Sequence, residues 1–113
     1  MAAATELTVQ SMTSAGVEVT FGNANADGNY FTNDGRTFIW IKNGDGSDHD
    51  IVIDSPTNCN YGFTHDVTVT VTAGEDRLIG VFDTARFNDS NGRVNVTYSA
   101  VTSVTIAVVK YST

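Results

Sequence analysis

The oxygen-rich run Asn43-Gly44-Asp45-Gly46-Ser47-Asp48-His49-Asp50 is where this chain comes nearest to a ligand-binding constellation. A hard cation such as calcium takes carboxylate, carboxamide and hydroxyl oxygens. Asn43, Asp45, Asp48 and Asp50 would be the ligands. The spacing departs from the helical calcium loop, because Asp48 stands at the sixth position, where that loop places Gly, and no helical pattern flanks it. A solvated acidic loop tip explains the same residues.

Other chemistry has less to stand on. His65-Asp66 could form an oriented base, but no nucleophile is spaced to meet it, and the chain has no Gly-x-Ser-x-Gly elbow. His49 and His65 fit structural roles at strand starts. Glycoside hydrolysis needs paired carboxylates. The three glutamates, Glu6, Glu18 and Glu75, are scattered, and most aspartates lie in turns, where they serve backbone geometry. Cys59 is the single cysteine, so an internal disulfide and a thiolate-rich metal site are both excluded. Trp40 with Tyr30, Tyr61, Tyr98 and Tyr111 could make a sugar-stacking platform, although the apolar flanks of Trp40 favour core or interface. These residues point to no enzyme and call for no cofactor.

The bulk properties narrow the partners. A chain of 113 residues suits one domain, and its 41% hydrophobic content is enough for one core. The net charge is −7, and the six basic residues are dispersed, which argues against a phosphate-binding face. Charged residues make up only 17%; Thr, Ser and Asn replace them, a composition suited to docking one surface on another. No window approaches the roughly 20 apolar residues of a membrane-spanning helix. Met1-Ala-Ala-Ala-Thr-Glu lacks the basic and apolar regions of a secretory signal, so a soluble chain made in a cytoplasm is expected. On that expectation the acceptor patterns at Asn88 and Asn95 carry no glycosylation.

The elements that must position any site are strands. Asn33-Asp34-Gly35 is a turn signal, followed by Thr-Phe-Ile-Trp-Ile at residues 37–41, β-branched or aromatic throughout. Period-2 alternation puts Phe38 and Trp40 on one face and Ile39 and Ile41 on the other. This is expected to be an inner strand, covered by a sheet on one face and by a loop or neighbouring chain on the other. Residues 17–21 alternate as a half-buried strand, and residues 22–28 have loop composition. Tyr30 and Phe31 are expected to tuck under the sheet edge. Residues 50–54 form a strand expected to pair with residues 37–43 as a hairpin, ended by Pro56. Residues 67–72, VTVTVT, give the cleanest alternation and are expected to form a hairpin with 77–82, where Gly80 signals a bulge or close approach. Asp83 could cap a helical turn anchored by Phe87. Strands at 93–99 and 103–111 close the domain.

The sum is an all-β chain: one antiparallel β-sandwich, jelly-roll or immunoglobulin-like, of seven to eight strands over residues 15–113. Residues 1–14 form an extended N-terminal arm with Leu7, Val9 and Met12 as apolar anchors and an edge strand at 7–11. The arm either frays or orders on a partner.

The run NDGRTFIWIKNG resembles a pattern in small tailed-bacteriophage proteins made alongside the major capsid protein. HDVTVTV (65–71), RLIG-V-F (77–82), ARFND (85–89) and V-VTYSAVTSVT-A (94–107) resemble it too, in the same order, so the likeness covers roughly residues 28–110. It implies a capsid decoration or cement protein: a β-sandwich on the outer surface of the virion head, partnered with the major capsid protein and often trimeric. It brings no catalytic residues. Contacts through Ala2, Ala3, Ala4, Thr5, Leu7, Val9 and Trp40 are the expectation for such a partner. A carbohydrate-binding or adhesin module, or a tail or fibre protein, is the alternative.

Overall fold

A computed structural model describes residues 4–55 and 66–111. The chain runs β1 (Thr5–Glu6), β2 (Val9–Ser11), β3 (Gly22–Asn23), β4 (Asn29–Thr32), β5 (Thr37–Asn43), β6 (His49–Ile53), β7 (Val67–Val71), β8 (Asp76–Gly80), α1 (Thr84–Phe87), β9 (Arg93–Tyr98) and β10 (Val104–Lys110). One sheet has the order β1-β4-β9-β6-β7, and the other β2-β10-β5-β8, with β3 also on β10. The expected β-sandwich is present. Its strands pair as β3 with β10, β4 with β9, β5 with β8 and β6 with β7, all antiparallel. This nested pairing is a long hairpin folded over on itself, the jelly-roll pattern rather than the immunoglobulin one.

Two expected hairpins do not form. β5 and β6 belong to different sheets, as do β7 and β8. In each case the short connection turns a corner between sheets, and the strands it joins face each other across the core. A tight turn serves a corner as well as a hairpin, so spacing alone does not distinguish them. The alternating stretch at 17–21 is also no strand; the ladder there begins at Gly22. Residues 11–21 instead cross the outside of the second sheet, and the Gln10 side chain stands in for a strand partner. Its Nε2 donates to Thr20 O and its Oε1 accepts from Thr20 N, each at 2.9 Å. Pro56, Cys59, Tyr61, Phe63 and His65 lie outside the described residues, as do Ala2 and Ala3.

The core follows the alternation. Ile39 and Ile41 of β5, Ile51 and Ile53 of β6, Val94 and Val96 of β9, and Val104, Ile106 and Val108 of β10 are all essentially inaccessible. Phe31, Phe82 and Phe87 close one end, with ring centroids 5.8 and 5.4 Å apart. Asp83 caps α1 by accepting from Ala85 N at 3.0 Å, which seats Phe87 in that cluster. Gly80 lies opposite Phe38 in the ladder. A Cβ there would meet Phe38 Cβ at 2.8 Å, so the close approach requires glycine.

The arm is part of the sandwich. β1 adds to β4, and β2 adds to β10, both in parallel, so residues 5–11 step from one sheet to the other across an open seam. Leu7 and Val9 pack against the core. The edge strand is Val9–Ser11, shorter than the expected 7–11, because Leu7 turns inward where the chain crosses.

Corners between sheets leave backbone groups pointing inward, and buried polar groups need partners. Buried asparagines supply them at three corners. Asn33 Nδ2 donates to Phe82 O (3.1 Å) and Asn88 Oδ1 (2.8 Å), while its Oδ1 accepts from Gly35 N (3.0 Å) and the Thr37 hydroxyl. All four hydrogen-bonding positions of the carboxamide are used. Replacing Asn33 with Leu would strand these partners where water does not reach. N33L is expected to cost about 3 kcal/mol, from unpaired buried groups at roughly 1–3 kcal/mol each. Urea unfolding should show a lower midpoint with an unchanged slope; an unchanged midpoint would remove Asn33 from its structural role.

Candidate interaction surface

The outer face of the second sheet is built by the strand alternation that fills the core. Phe38, Trp40 and Lys42 project from β5 opposite Ile39 and Ile41. In register, Trp40 lies between Ala107 of β10 and Leu78 of β8, and Phe38 lies between Val109 and Gly80. The β10 half of this face is closed. Residues 11–21 pass over it, leaving Ala107 and Val109 buried. Phe21 meets Trp40 edge-on at 5.0 Å, and Lys42 Nζ lies 4.3 Å from the Phe21 ring centre and 5.0 Å from that of Trp40. The covering partner expected for this face is therefore, over this half, a loop of the same chain.

The β8 half is open. Leu78 is 66% exposed, and Met12 and Val17 are exposed at the rim. With Phe38, Trp40 and Val19 they line a shallow cleft of about 320 Å³. The Trp40 indole N–H donates to Asp76 Oδ2 at 2.7 Å, which fixes the ring and satisfies its polar edge. Contiguous exposed apolar side chains of this kind mark interaction surfaces more often than isolated ones. Leu78 carries no motif of its own in the sequence. The signal was available in RLIG, where the alternation that turns Ile79 toward the core turns Leu78 outward beside Trp40.

A sugar platform does not assemble around Trp40. Tyr98 belongs to the other sheet and donates its hydroxyl to Asn29 Oδ1 at 2.7 Å; burial raises its pKa. Tyr30 also lies in that sheet, under the Arg93 guanidinium at 4.8 Å. Tyr111 follows β10, and Tyr61 is outside the described residues. Lys42 occupies one side of the indole.

The oxygen-rich run is spread over separate partners. Asn43 Nδ2 donates to the carbonyls of Ser47 (2.8 Å) and Val71 (3.0 Å), and its Oδ1 accepts from Asp45 N. Asp45 accepts from Gly46 N, which with the His49 ring holds its carboxyl below the usual range. Asp48 caps Ala73 N, and Asp50 accepts from the Thr70 hydroxyl. Among the described residues no three His, Cys, Asp or Glu side chains are placed to hold a metal ion. The candidate cation loop is a corner brace. Of the arm residues expected to meet a partner, Thr5 bonds Asn29, and Leu7 and Val9 face the chain's own core; Ala4 precedes β1, half-buried.

At the mouth of the β6–β7 connection, Ser55 N donates to Asp66 Oδ1 at 2.9 Å. Burial, together with the charge and hydrogen bond of Asp66, pushes the neighbouring Asp54 carboxyl above its ordinary pKa. Asp89 is held low, first by the Asn95 side-chain amide.

Comparison with protein-family models, curated proteins and solved structures finds no match.

The Asp54 environment sets a pH dependence. Its ionised form is disfavoured in the fold, so it destabilises the protein fully at neutral pH. This cost shrinks as pH falls through the window between the raised and ordinary values, and vanishes once Asp54 is protonated in both states. D54N should therefore raise the melting temperature at pH 7 and give no advantage near pH ~3. Thermal melts across that range check the sign, and equal effects at both ends would refute it.

Proposed function

We propose that this chain is a structural protein of a tailed-bacteriophage virion, one that binds the outside of the assembled head and stabilises it. The partner is the major capsid protein, and self-association as a trimer places several docking faces together. The observation that carries this proposal is the half-open face of the second sheet: Leu78 projects beside Phe38 and Trp40 on a braced sandwich, while the other half of the same face is already covered. The ordered resemblance of residues 28–110 to capsid decoration proteins supports the choice of partner.

The physical task suits such a molecule. A standard protein–protein contact buries roughly 1,600 Å² in total. Repeated over many copies on one shell, contacts of ordinary strength add into mechanical resistance. The surface needs shape and an apolar anchor rather than charge, in keeping with the low charge content. A flat, rigid strand face presents its anchors without first losing side-chain or loop freedom, which favours binding.

The test is co-sedimentation with shells assembled from the major capsid protein encoded in the same genome. Saturable binding at a fixed ratio to capsid subunits is expected, with heads more resistant to heat when decorated. Leu78→Lys should weaken this binding by about tenfold or more, the loss of one interface anchor. Its unfolding free energy should stay within about 0.5 kcal/mol of the parent, as for an exposed site. Failure of the parent protein to sediment with the shells would overturn the proposal.

A further inference from the structure

The arm is held by contacts that the same segment of another copy could make equally well. Thr5 N donates to Gly28 O at 3.2 Å, Leu7 N to Tyr30 O at 2.8 Å and Met12 N to Lys110 O at 2.8 Å. The Asn29 carboxamide reads the Thr5 carbonyl at 3.2 Å and its hydroxyl at 2.8 Å. These bonds run between arm and body, and both arm ladders are parallel additions to otherwise antiparallel sheets.

The seam that receives the arm is flanked by clefts open to solvent. A cleft of about 420 Å³ lies on one side of Leu7, bounded also by Thr8, Gln10, Phe21 and Ile106. A second, of about 370 Å³, lies against Leu7, Thr8, Val9 and Thr32. The arm is joined by edge pairing and by two side chains, Leu7 and Val9, that pack against the core. The link to the body is exposed from Met12 to Glu18 and anchored again from Val19. Within it, Gly16 at φ +95° closes a small turn with Thr13, through Gly16 N to Thr13 O and Thr13 Oγ1 to Gly16 O, each 3.0 Å. Straightened, this link spans on the order of 25 Å. Segments with few buried contacts open at low cost.

We propose that the seam between β4 and β10 is a strand-acceptor site, and that in a homo-oligomer it takes residues 5–11 of a second copy in place of the chain's own arm. The occupant is set by the chemistry of the seam. Asn29 takes a carbonyl and a hydroxyl at one end, the core edge between the sheets takes an apolar side chain, and the Thr20 backbone takes a carboxamide at the other end. Thr5, Leu7 and Gln10 supply these at the right spacing. Exchange preserves the contacts of residues 5–11, releases the Thr13–Gly16 turn and the cover that Met12 to Val17 give the β10 half of the outer face, and adds whatever surface the two bodies bury together. The inference is independent of any viral shell.

Ser11 and Lys110 are register partners and report the exchange. In a C59S background, the full chain carrying S11C and K110C is oxidised, or treated with a short bis-thiol cross-linker, over a range of concentrations. The fraction of covalent dimers and larger species should rise several-fold with concentration. Chains carrying S11C alone, refolded together with chains carrying K110C alone, should give a covalent heterodimer in excess of either variant by itself. A second pair, E6C with Y30C, reports the other sheet and should behave alike. Internally linked monomer at every concentration, or no interchain product with either chemistry, would overturn the proposal, as would light scattering that shows a monomer throughout.

Discussion

Three buried carboxamides hold the corners on which this sandwich depends. Asn29, Asn33 and Asn43 are each no more than 4% exposed, and each stands at the end of a strand where the chain changes sheets. In a nested arrangement nearly every connection is such a corner, and each turns peptide groups toward the interior. A carboxamide offers two donors and two acceptors on a short stem, so one residue can satisfy several of these groups at once. Asn33 ties the β4–β5 corner to Phe82 and Asn88, beyond the far strand of the same sheet. Asn43 ties the end of β5 to Val71 in the opposite sheet. Asn29 ties the arm to Tyr98. Among the described residues no buried side-chain nitrogen or oxygen lacks a partner. A polar network of this kind rigidifies a fold only when it is complete.

Fixed corners define the faces. β10 is apolar on both sides, which fits a strand covered by the core on one side and by residues 11–21 on the other. That covering loop stops short of β8, and the uncovered strip is where Leu78, Phe38 and Trp40 meet solvent together. The arm does the corresponding work at the edge, pairing with β4 and β10 while open clefts remain beside it. One protein thus presents a partly open apolar face and an edge strand drawn from its own N-terminal segment.

Much of the fold was legible in the sequence. The split of Phe38 and Trp40 from Ile39 and Ile41 followed from period-2 alternation, and the cap at Asp83 with its anchor Phe87 followed from residue type. Gly80 inside a strand pattern signals a close approach, and the Phe38 backbone and Cβ supply it. The pairing of strands was not legible, because consecutive strands usually pair and here they mostly do not. Residues 17–21 misled for a related reason. Alternation reports one buried face, and a loop lying across a sheet buries one face as a strand does. Leu78 was hidden because its exposure depends on where the covering loop ends, a tertiary fact. The arm looked like a free segment because its burial rests on parallel edge pairing, which leaves almost no local pattern.

Hydrogen exchange of the asparagine side-chain amides, followed residue by residue by NMR, tests the role of these corners most directly. The carboxamide protons of Asn29, Asn33 and Asn43 should exchange far more slowly than those of exposed asparagines such as Asn91, with protection approaching that of the β5 and β10 backbone amides. Exchange of all three at the rate of the exposed side chains would mean that the corners are held by something else.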